Sequence, residues 1–233
     1  MFDGKKKAVT FSYDDGVTQD IRLIEIFNKY GLKGTFNLNS GFLGQSGSLL
    51  REGQTVSHNK NKAQDVRAIY AGHEVASHTL THPFLPSLPD DEIVRQVEED
   101  RKRLSELCGY EVVGFAYPCG GDNYDARVSG ILAEKTGVKY ARTIVSSFSF
   151  EKQENLLEFK PTVYHHREFD RMFELAERFL AANPEEPQIF YIWGHAYEFD
   201  IFDQWDRMEE FCRLIAGHDD VFYGTNREVL LGQ

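Results

Sequence analysis

The feature of this sequence that most constrains its fold is a regular alternation between short apolar runs and longer amphipathic segments. Runs rich in β-branched and aromatic residues, such as residues 7–13 and 34–38, predict strands, and segments with an apolar stripe predict helices between them. The alternation repeats about seven times, which is typical of parallel strands joined by crossover helices. Because no linker, repeat or low-complexity segment interrupts it, we expect residues 1–233 to form a single α/β domain.

Two α/β architectures fit this alternation: a closed or nearly closed β/α barrel, and an open, doubly wound sheet. Polar loops that carry histidine or aspartate follow one strand after another, which favours the barrel. The first helix is expected to have Ile21 on its apolar stripe. Elsewhere we expect a long loop at residues 39–62, a short helix at 63–71 and a strand at 159–164.

Charge and cysteine content argue against several classes of protein. The formal net charge is −11, and the run of like charge that stands out is residues 5–7, so we expect neither a nucleic-acid partner nor docking on an anionic membrane. The three cysteines, an odd and sparse set, argue against a disulfide framework. The apolar run after the N-terminal lysines is too short and too soon acidic for a signal peptide, and no stretch could span a bilayer. We therefore expect a cytoplasmic protein; no feature of the sequence specifies its oligomeric state.

A pair of histidines stands in residues 72–83, which read G-H-E-V-A-S-H-T-L-T-H-P. His78 and His82 are four residues apart, a spacing at which two imidazoles can bind one cation. Pro83 biases His82 away from helical geometry, so the segment is expected to be a loop or a single turn after a short strand. The alternative is a pair of solvent-facing loop histidines.

Acidic residues that could complete such a site lie far upstream, where S-Y-D-D-G at residues 12–16 ends the first strand. Successive side chains of an extended chain point in opposite directions, so one of Asp14 and Asp15 can bind a metal ion while the other faces a substrate. A simple strand-to-helix turn is the alternative. His195 follows an apolar strand at residues 188–193 and could equally be an ordinary core histidine.

Taken together, these motifs resemble those of the polysaccharide deacetylase family, the NodB-homology carbohydrate esterases. Residues 12–16 resemble the family's T-F-D-D-G, and S-H-T-L-T-H-P at 77–83 resembles its H-S/T-x-x-H-P. The F-A-Y-P at 115–118 resembles its R-x-P-Y, and the W-G-H at 193–195 resembles its late L-x-H. Motif order and spacing agree from about residue 8 to residue 200.

The resemblance implies a distorted seven-stranded β/α barrel and a role for each of five residues. It implies that Asp14 is the general base, that His195 is the general acid, and that Asp15, His78 and His82 bind one divalent metal ion. Such an ion polarises the scissile carbonyl and lowers the pKa of bound water to about 7. Two histidines and a carboxylate suit zinc best, with cobalt, nickel, manganese or iron as alternatives.

The sequence departs from the family pattern at two motifs. Ala116 stands where the family has the arginine that orients the base, and the D-x-x-D-W motif has no counterpart. We expect Arg142 to pair with Asp14 instead, the alternative being a surface arginine. For the oxyanion we expect a backbone N–H from Tyr117 or from the loop that begins at Pro118.

Several aromatic residues fall in or near the loops after strands, where their rings could stack on sugar faces: Tyr117, Tyr124, Tyr197, Phe199 and Trp205. Among these, Tyr117 and Tyr197 are candidate substrate contacts. His58, His165 and His166 have no partner at ligand spacing, and we expect them to be ordinary surface or core histidines.

These features predict a metal-dependent N-deacetylase or O-esterase that acts on an acetylated sugar. One alternative is a different C–N hydrolase on the same scaffold, acting on a small cyclic amide or ureide as allantoinase-like relatives do. Another is a catalytically silent carbohydrate-binding protein, against which the five intact site residues argue. Acetate release from acetylated sugars, compared with ring-opening of small amides, would distinguish the two hydrolases.

Overall fold

A computed structural model of the protein describes residues 2–232, along which strands and helices alternate. The strands are β1 (Lys7–Asp14), β2 (Gly34–Leu38), β3 (Ser48–Arg51), β4 (Gln54–Ser57), β5 (Glu74–Ser77), β6 (Gly114–Ala116), β7 (Tyr140–Arg142), β8 (Val163–Tyr164), β9 (Gln188–Gly194) and β10 (Val221–Tyr223). The helices are α1 (Asp20–Lys29), α2 (Val66–Ile69), α3 (Asp90–Cys108), α4 (Ala126–Lys135), α5 (Phe169–Ala181), α6 (Glu198–Ile201), α7 (Trp205–Ile215) and α8 (Asn226–Leu231). In this part of the chain, no helix combines the length and apolar character needed to cross a bilayer.

The main sheet is parallel throughout and contains every strand except β3 and β4. Its strands lie in the order β7-β6-β5-β2-β1-β9-β8. The short β10 pairs with residues 7–9 of β1, and β2 pairs with residues 11–14, so the two share one edge of that strand. Because all of these strands run in the same direction, their carboxyl ends lie together at one end of the sheet. In α/β proteins, active sites and ligand-binding sites are found at this end.

The sheet curls into a half-barrel, and residues 159–164 connect its two edge strands. Phe159 forms a parallel bridge with Arg142 of β7, and Val163–Tyr164 pairs with β9. The expected α/β fold with a distorted seven-stranded barrel is thereby confirmed. The strand expected over all of residues 159–164 exists only at its last two positions, because the first part of this segment makes a bridge instead.

Strand β1 is the centre of the sheet and is buried along its whole length. Helix α1 holds it from one side, since Phe27 packs against Phe11 and Tyr13 with ring centroids 4.6 and 6.0 Å apart. The buried stripe of α1 includes Leu23, whereas Ile21 is 42% exposed, so its expected place in the core was wrong. This packing fixes the carboxyl end of β1.

Residues 39–62 are not a plain loop, because β3 and β4 form an antiparallel hairpin within them. The two turn residues, Glu52 and Gly53, both have positive φ angles, of 51° and 78°. A two-residue turn with both φ angles positive matches the right-handed twist of a hairpin. The hairpin gave a weak sequence pattern because its strands are largely exposed, Leu50 to 77%, and because glutamate is uncommon at positive φ.

Two shorter elements also differ from expectation. The helix expected at residues 63–71 is a single turn, α2, preceded by a 3-10 turn at Ala63–Asp65. The one-turn helix α6, directly after β9, was not expected at all, because four residues carry too little periodicity to be recognised. It nevertheless carries a residue of the site.

Candidate active site

Three candidate metal ligands lie together beyond the carboxyl ends of two strands. One ligand atom from each of Asp15, His78 and His82 lies within 4.8 Å of the other two. Asp15 directly follows β1, and both histidines lie in the loop after β5. Strand ends that are distant in sequence thus bring a carboxylate next to the two imidazoles.

The loop after β5 holds the two histidines by an irregular backbone rather than by a helical turn. Thr79 and His82 have φ angles of 68° and 55°, in the left-handed region that non-glycine residues rarely adopt. The Thr79 hydroxyl accepts the backbone N–H of His82 at 3.0 Å, which stabilises this conformation. As a result the two imidazole rings lie 4.9 Å apart at an angle of 70°.

The donor set fits a divalent cation. Nδ1 of His78 lies 2.8 Å from the carbonyl oxygen of Ala116, to which it donates in the neutral tautomer, so the lone pair of Nε2 faces the acidic residues. Burial lowers the pKa of His78 to about 4 and also lowers the pKa of His82, so both rings are neutral, as ligands must be. Two neutral imidazoles and one carboxylate are a ligand set of zinc-type catalytic sites.

Asp15 has two basic neighbours that sequence reasoning missed. Its Oδ2 lies 3.2 Å from Nε2 of His58, and its Oδ1 lies 3.5 Å from Nζ of Lys60. Burial would raise the pKa of Asp15, but these two neighbours outweigh it and hold the pKa well below the ordinary value. The contact with Asp15 gives His58 a partner that its place in the sequence did not indicate. The segment after β4 brings it to the site, and no spacing in the sequence signals that contact.

Asp14 lies on the other side of the cluster and forms a buried ion pair with Arg142. The two side chains are almost fully buried, and Nη2 of Arg142 lies 2.7 and 2.5 Å from Oδ1 and Oδ2 of Asp14. Asn37 donates to Oδ1 at 2.8 Å, and Oδ2 lies 3.9 Å from Nε2 of His78. The expected pairing of Arg142 with Asp14 is present. The guanidinium also lies over the ring of Trp193, 4.2 Å from its centroid, so its position is fixed from two sides.

His195 stands at the end of β9 beside Glu198, the first residue of α6. Nδ1 of His195 lies 3.2 Å from Oε1 of Glu198, and the backbone N–H of His195 donates to Oε2 at 3.0 Å. Although burial opposes charge on the ring, the carboxylate raises the pKa of His195. Burial likewise opposes charge on Glu198, and the histidine nevertheless holds its pKa at about 2. Sequence reasoning missed Glu198, although its place three residues after a strand-end histidine was a usable signal.

Glu198 is fully buried and is contacted from three further directions. Tyr164 donates its hydroxyl to Oε1, and Nη2 of Arg51 lies 3.2 Å from the same oxygen. Nε2 of His165 lies 3.5 Å from Oε2, and burial lowers the pKa of this histidine to about 3. His165 is thus a buried core histidine, one of the two roles expected for it, but it also contacts the partner of His195.

The structure leaves one of the two expected sources of an oxyanion donor. The backbone N–H of Tyr117 already donates to the carbonyl of Arg142 at 3.1 Å, within the pairing of β6 and β7. Pro118 has no N–H and does not line the site cavity. The next residue, Cys119, directs its backbone N–H at Nε2 of His82, 3.4 Å away, and has a φ angle of 69°. The loop that begins at Pro118 therefore remains, with Cys119 as its candidate donor.

One cavity of about 680 Å³ is lined by the three candidate ligands, by Asp14 and His195, and by His58, Lys60 and Cys119. Aromatic rings of Tyr164, Trp193 and Tyr197 line it, together with Tyr117, so the expected contribution of Tyr197 to the site surface is present. Phe199 and Trp205 are buried in the hydrophobic core instead, and neither lines the cavity. A cavity of this size, with polar groups at one end and aromatic walls, is typical of small-molecule sites.

Comparison with known families agrees with this geometry. Residues 3–141 match the family model described as polysaccharide deacetylase, which is more than half of the chain. The chain belongs to the polysaccharide deacetylase family. In this family member, Asp14, Asp15 and the histidine pair of the β5 loop fall inside the matched region, whereas His195 and Glu198 lie beyond it.

Solved structures of polysaccharide deacetylases share the fold. A Mycobacterium smegmatis protein assigned to the polysaccharide deacetylases is 18% identical, with a TM-score of 0.69 over 98% of this chain and 90% of that one. A family 4 carbohydrate esterase from Streptomyces lividans, solved with acetate, is 15% identical, with a TM-score of 0.57 over 95% and 93%. A polysaccharide deacetylase from Bacillus cereus is 17% identical, with a TM-score of 0.52 over 64% of this chain and 44% of that one. The chain therefore spans less than half the length of the Bacillus cereus protein.

Proposed function

We propose that this member of the polysaccharide deacetylase family is a metal-dependent hydrolase that removes an N- or O-linked acetyl group from a sugar. The observation that carries the proposal is the arrangement around one cavity: a cluster of three ligands, with the ion-paired Asp14 on one side and the carboxylate-supported His195 nearby. Membership of the family supports the class of reaction. The residues argued below supply the proton transfers.

Asp15, His78 and His82 would hold the cation, for which zinc is the first expectation and cobalt, nickel, manganese and iron are alternatives. When bound, a divalent cation supplies Lewis-acid chemistry: it polarises a carbonyl and makes water a nucleophile at neutral pH. The low pKa of Asp15 keeps this ligand ionised throughout the physiological range.

Asp14 would act as the general base. The side chains of Arg142 and Asn37 occupy its Oδ1 and one side of Oδ2, which leaves Oδ2 next to the cluster as the acceptor for a proton from the attacking water. The same two contacts fix the carboxylate in orientation. Arg142 is therefore proposed to position the base, in place of the family's arginine at the position of Ala116.

His195 would act as the general acid. Glu198 raises its pKa, so at neutral pH a larger share of the ring carries the proton that the departing amine or alkoxide needs. Glu198 also accepts the backbone N–H of His195, which fixes the end of β9. The backbone N–H of Cys119 is the proposed donor to the carbonyl oxygen that becomes negatively charged.

Acetate release from a panel of acetylated sugars, measured alongside metal analysis of the purified protein, tests the proposal. We expect Asp14→Asn and His195→Ala to lose about 10²- to 10⁴-fold in rate while they retain metal, because removing a general acid or base has that effect. Asp206→Asn, at an exposed position of α7, is the matched control. Wild-type turnover in Asp14→Asn would contradict its role, and ring-opening of cyclic amides without acetate release would favour the other hydrolase.

A further inference from the structure

The charge on the cavity wall is opposite to that of the chain as a whole. The chain carries a formal net charge of −11, yet Arg51, Lys60 and Arg167 line the cavity, and Asp14 and Asp15 are the only carboxylates on its wall among residues 2–232. Both carboxylates belong to the candidate catalytic end, where cationic neighbours balance them. Away from that end, the charged groups on the wall are cationic.

Arg51 comes from the β3–β4 hairpin, and residues on other elements hold its side chain at the cavity wall. Its Nη1 and Nη2 donate to the hydroxyls of Tyr197 and Tyr164, each at 3.0 Å, and Nη2 also lies 3.2 Å from Glu198. A guanidinium has five N–H groups. Nε and the second N–H of Nη1 have no partner within residues 2–232, and the side chain is 30% exposed. Arg51 therefore presents oriented donors to whatever enters.

Arg167 supplies a second guanidinium on the same cavity. It lies three residues after β8, is exposed to solvent, and has no hydrogen bond or ion pair to any residue that the structure describes. Its side chain is thus both exposed and part of the cavity lining. Two guanidinium groups on one cavity are suited to a carboxylate or a phosphate, which they can bind through charge-assisted hydrogen bonds.

The β3–β4 hairpin also limits the size of what can enter. Besides the contacts of Arg51 to Tyr164 and Tyr197, Glu52 at the turn lies 3.1 Å from Nε2 of His166, and the Gln19 side chain donates to the carbonyl of Ser57 at 2.9 Å. The hairpin is thereby attached to the segments that follow β1 and β8, and its residues Leu49 and Arg51 line the cavity. A volume of about 680 Å³ lies within the usual ~300–1,000 Å³ of small-ligand pockets.

We propose that the substrate is a small or terminal acetylated sugar that carries an anionic group, a carboxylate or a phosphate, and that Arg167 and the free N–H groups of Arg51 bind this group. This inference rests on the proposed deacetylase function for the acetyl group, but the anion subsite itself makes a prediction about binding alone. Lys60 is excluded from the subsite because it contacts Asp15.

Isothermal titration calorimetry with matched sugars tests the subsite. The probes are N-acetylmuramic acid for the carboxylate, N-acetylglucosamine 6-phosphate for the phosphate, and neutral N-acetylglucosamine as the reference. We expect at least one anionic probe to bind about 10- to 100-fold more tightly than the neutral sugar, and we expect Arg167→Gln to remove most of that preference. Arg178→Gln, which removes the same charge from the exposed surface of α5, should retain it.

The outcomes separate the two proposals. Equal affinities for all three sugars, no measurable binding of either anionic probe, or an equal loss in Arg167→Gln and Arg178→Gln would overturn the anion subsite. Arg167-dependent binding of an anionic probe without acetate release from any sugar would support the subsite and contradict the deacetylase. The comparison of the two anionic probes tells whether the subsite takes a carboxylate or a phosphate.

Discussion

Replacing Glu198 by glutamine tests whether a buried carboxylate keeps His195 in its acid form. The carboxylate is fully buried, lies 3.2 Å from Nδ1 of His195 and accepts the backbone N–H of that residue at 3.0 Å. Glutamine has nearly the same shape and retains an acceptor for the N–H group, but it removes the negative charge. Arg51 keeps its hydrogen bonds to Tyr164 and Tyr197.

The expected loss of activity in Glu198→Gln follows from how burial and the charge of Glu198 affect the pKa of His195. Burial lowers the pKa of His195, whereas Glu198, with smaller contributions from Asp15 and Asp14, raises it above the ordinary value, so the pKa falls when the charge of Glu198 is removed. Two unit charges about 4 Å apart interact by about 4 kcal/mol at an effective dielectric constant of about 20. Even a third of this interaction energy would change the protonated fraction of His195 about tenfold at a pH above its pKa. We therefore expect kcat/KM for acetate release to fall at least about tenfold on the basic side of the wild-type pH profile.

The assay is the pH profile of kcat/KM, since its basic limb reports the ionisation of the acid in the free enzyme. In Glu198→Gln this limb should move to lower pH, so that the deficit shrinks as the solution is acidified. Metal content and Tm are measured on the same samples to show that the site and the fold are intact. Glu210→Gln, at an exposed position of α7, is the matched control and should follow the wild-type profile.

Two results would refute the electrostatic role of Glu198. If the basic limb stays in place while the metal content and Tm are unchanged, the carboxylate does not set the ionisation of His195. If activity is lost by the same factor at every pH, Glu198 acts through structure alone. A shift of the limb with full recovery at low pH is the result that the geometry requires.

Three other perturbations have defined outcomes. Asp15→Asn should weaken the binding of a divalent metal at least about tenfold, because one of the three candidate ligands loses its charge. Metal analysis after dialysis measures this, and an unchanged metal stoichiometry would contradict the assignment of Asp15 as a ligand. Arg142→Met should lower the free energy of unfolding in urea by about 3–5 kcal/mol, because Asp14 would remain as a buried, unpaired charge; a loss below about 1 kcal/mol would argue against this. Asp20→Asn should raise Tm at pH 8. Burial raises the pKa of Asp20 from 3.8 to about 8, although the hydroxyl of Tyr70 opposes this shift. The folded wild type therefore loses stability as the pH rises between these two values, whereas the variant with its neutral amide does not. Equal Tm values for the two proteins at pH 8 would contradict this prediction.

Local pattern was enough to predict the elements that build the barrel. Strand β2 has the predicted bounds, because it is a short, fully buried segment that begins at a glycine. The β3–β4 hairpin could not be recognised in the same way. Its strands expose Leu50, and its turn places Glu52 in a conformation that the residue type does not favour. Exposed strands lack the hydrophobic pattern on which such predictions rest.

The residues of the candidate site also differ in whether their contacts could be predicted from the sequence. His78 and His82 could be paired from sequence because they share one loop, and Asp15 because it stands in a recognisable motif. His58 and Lys60 could not be placed, since their contact with Asp15 depends on how the hairpin folds back over the sheet. Contacts within one loop are encoded locally, whereas contacts between loops depend on the tertiary fold.

The pairing of β6 and β7 explains how this chain keeps an arginine next to Asp14 without the arginine of the family motif. Ala116 and Arg142 are direct partners in these adjacent strands, so the guanidinium starts one strand away at the same level of the barrel. The side chain of Arg142 spans the remaining distance, since its Nη2 contacts both carboxylate oxygens of Asp14. The carbonyl of Ala116 meanwhile fixes the ring of His78. Because the strands of the sheet all end at the same side of the barrel, the arginine that contacts Asp14 can come from either of two neighbouring strands. Its position in the structure therefore identifies this arginine better than the sequence motif does.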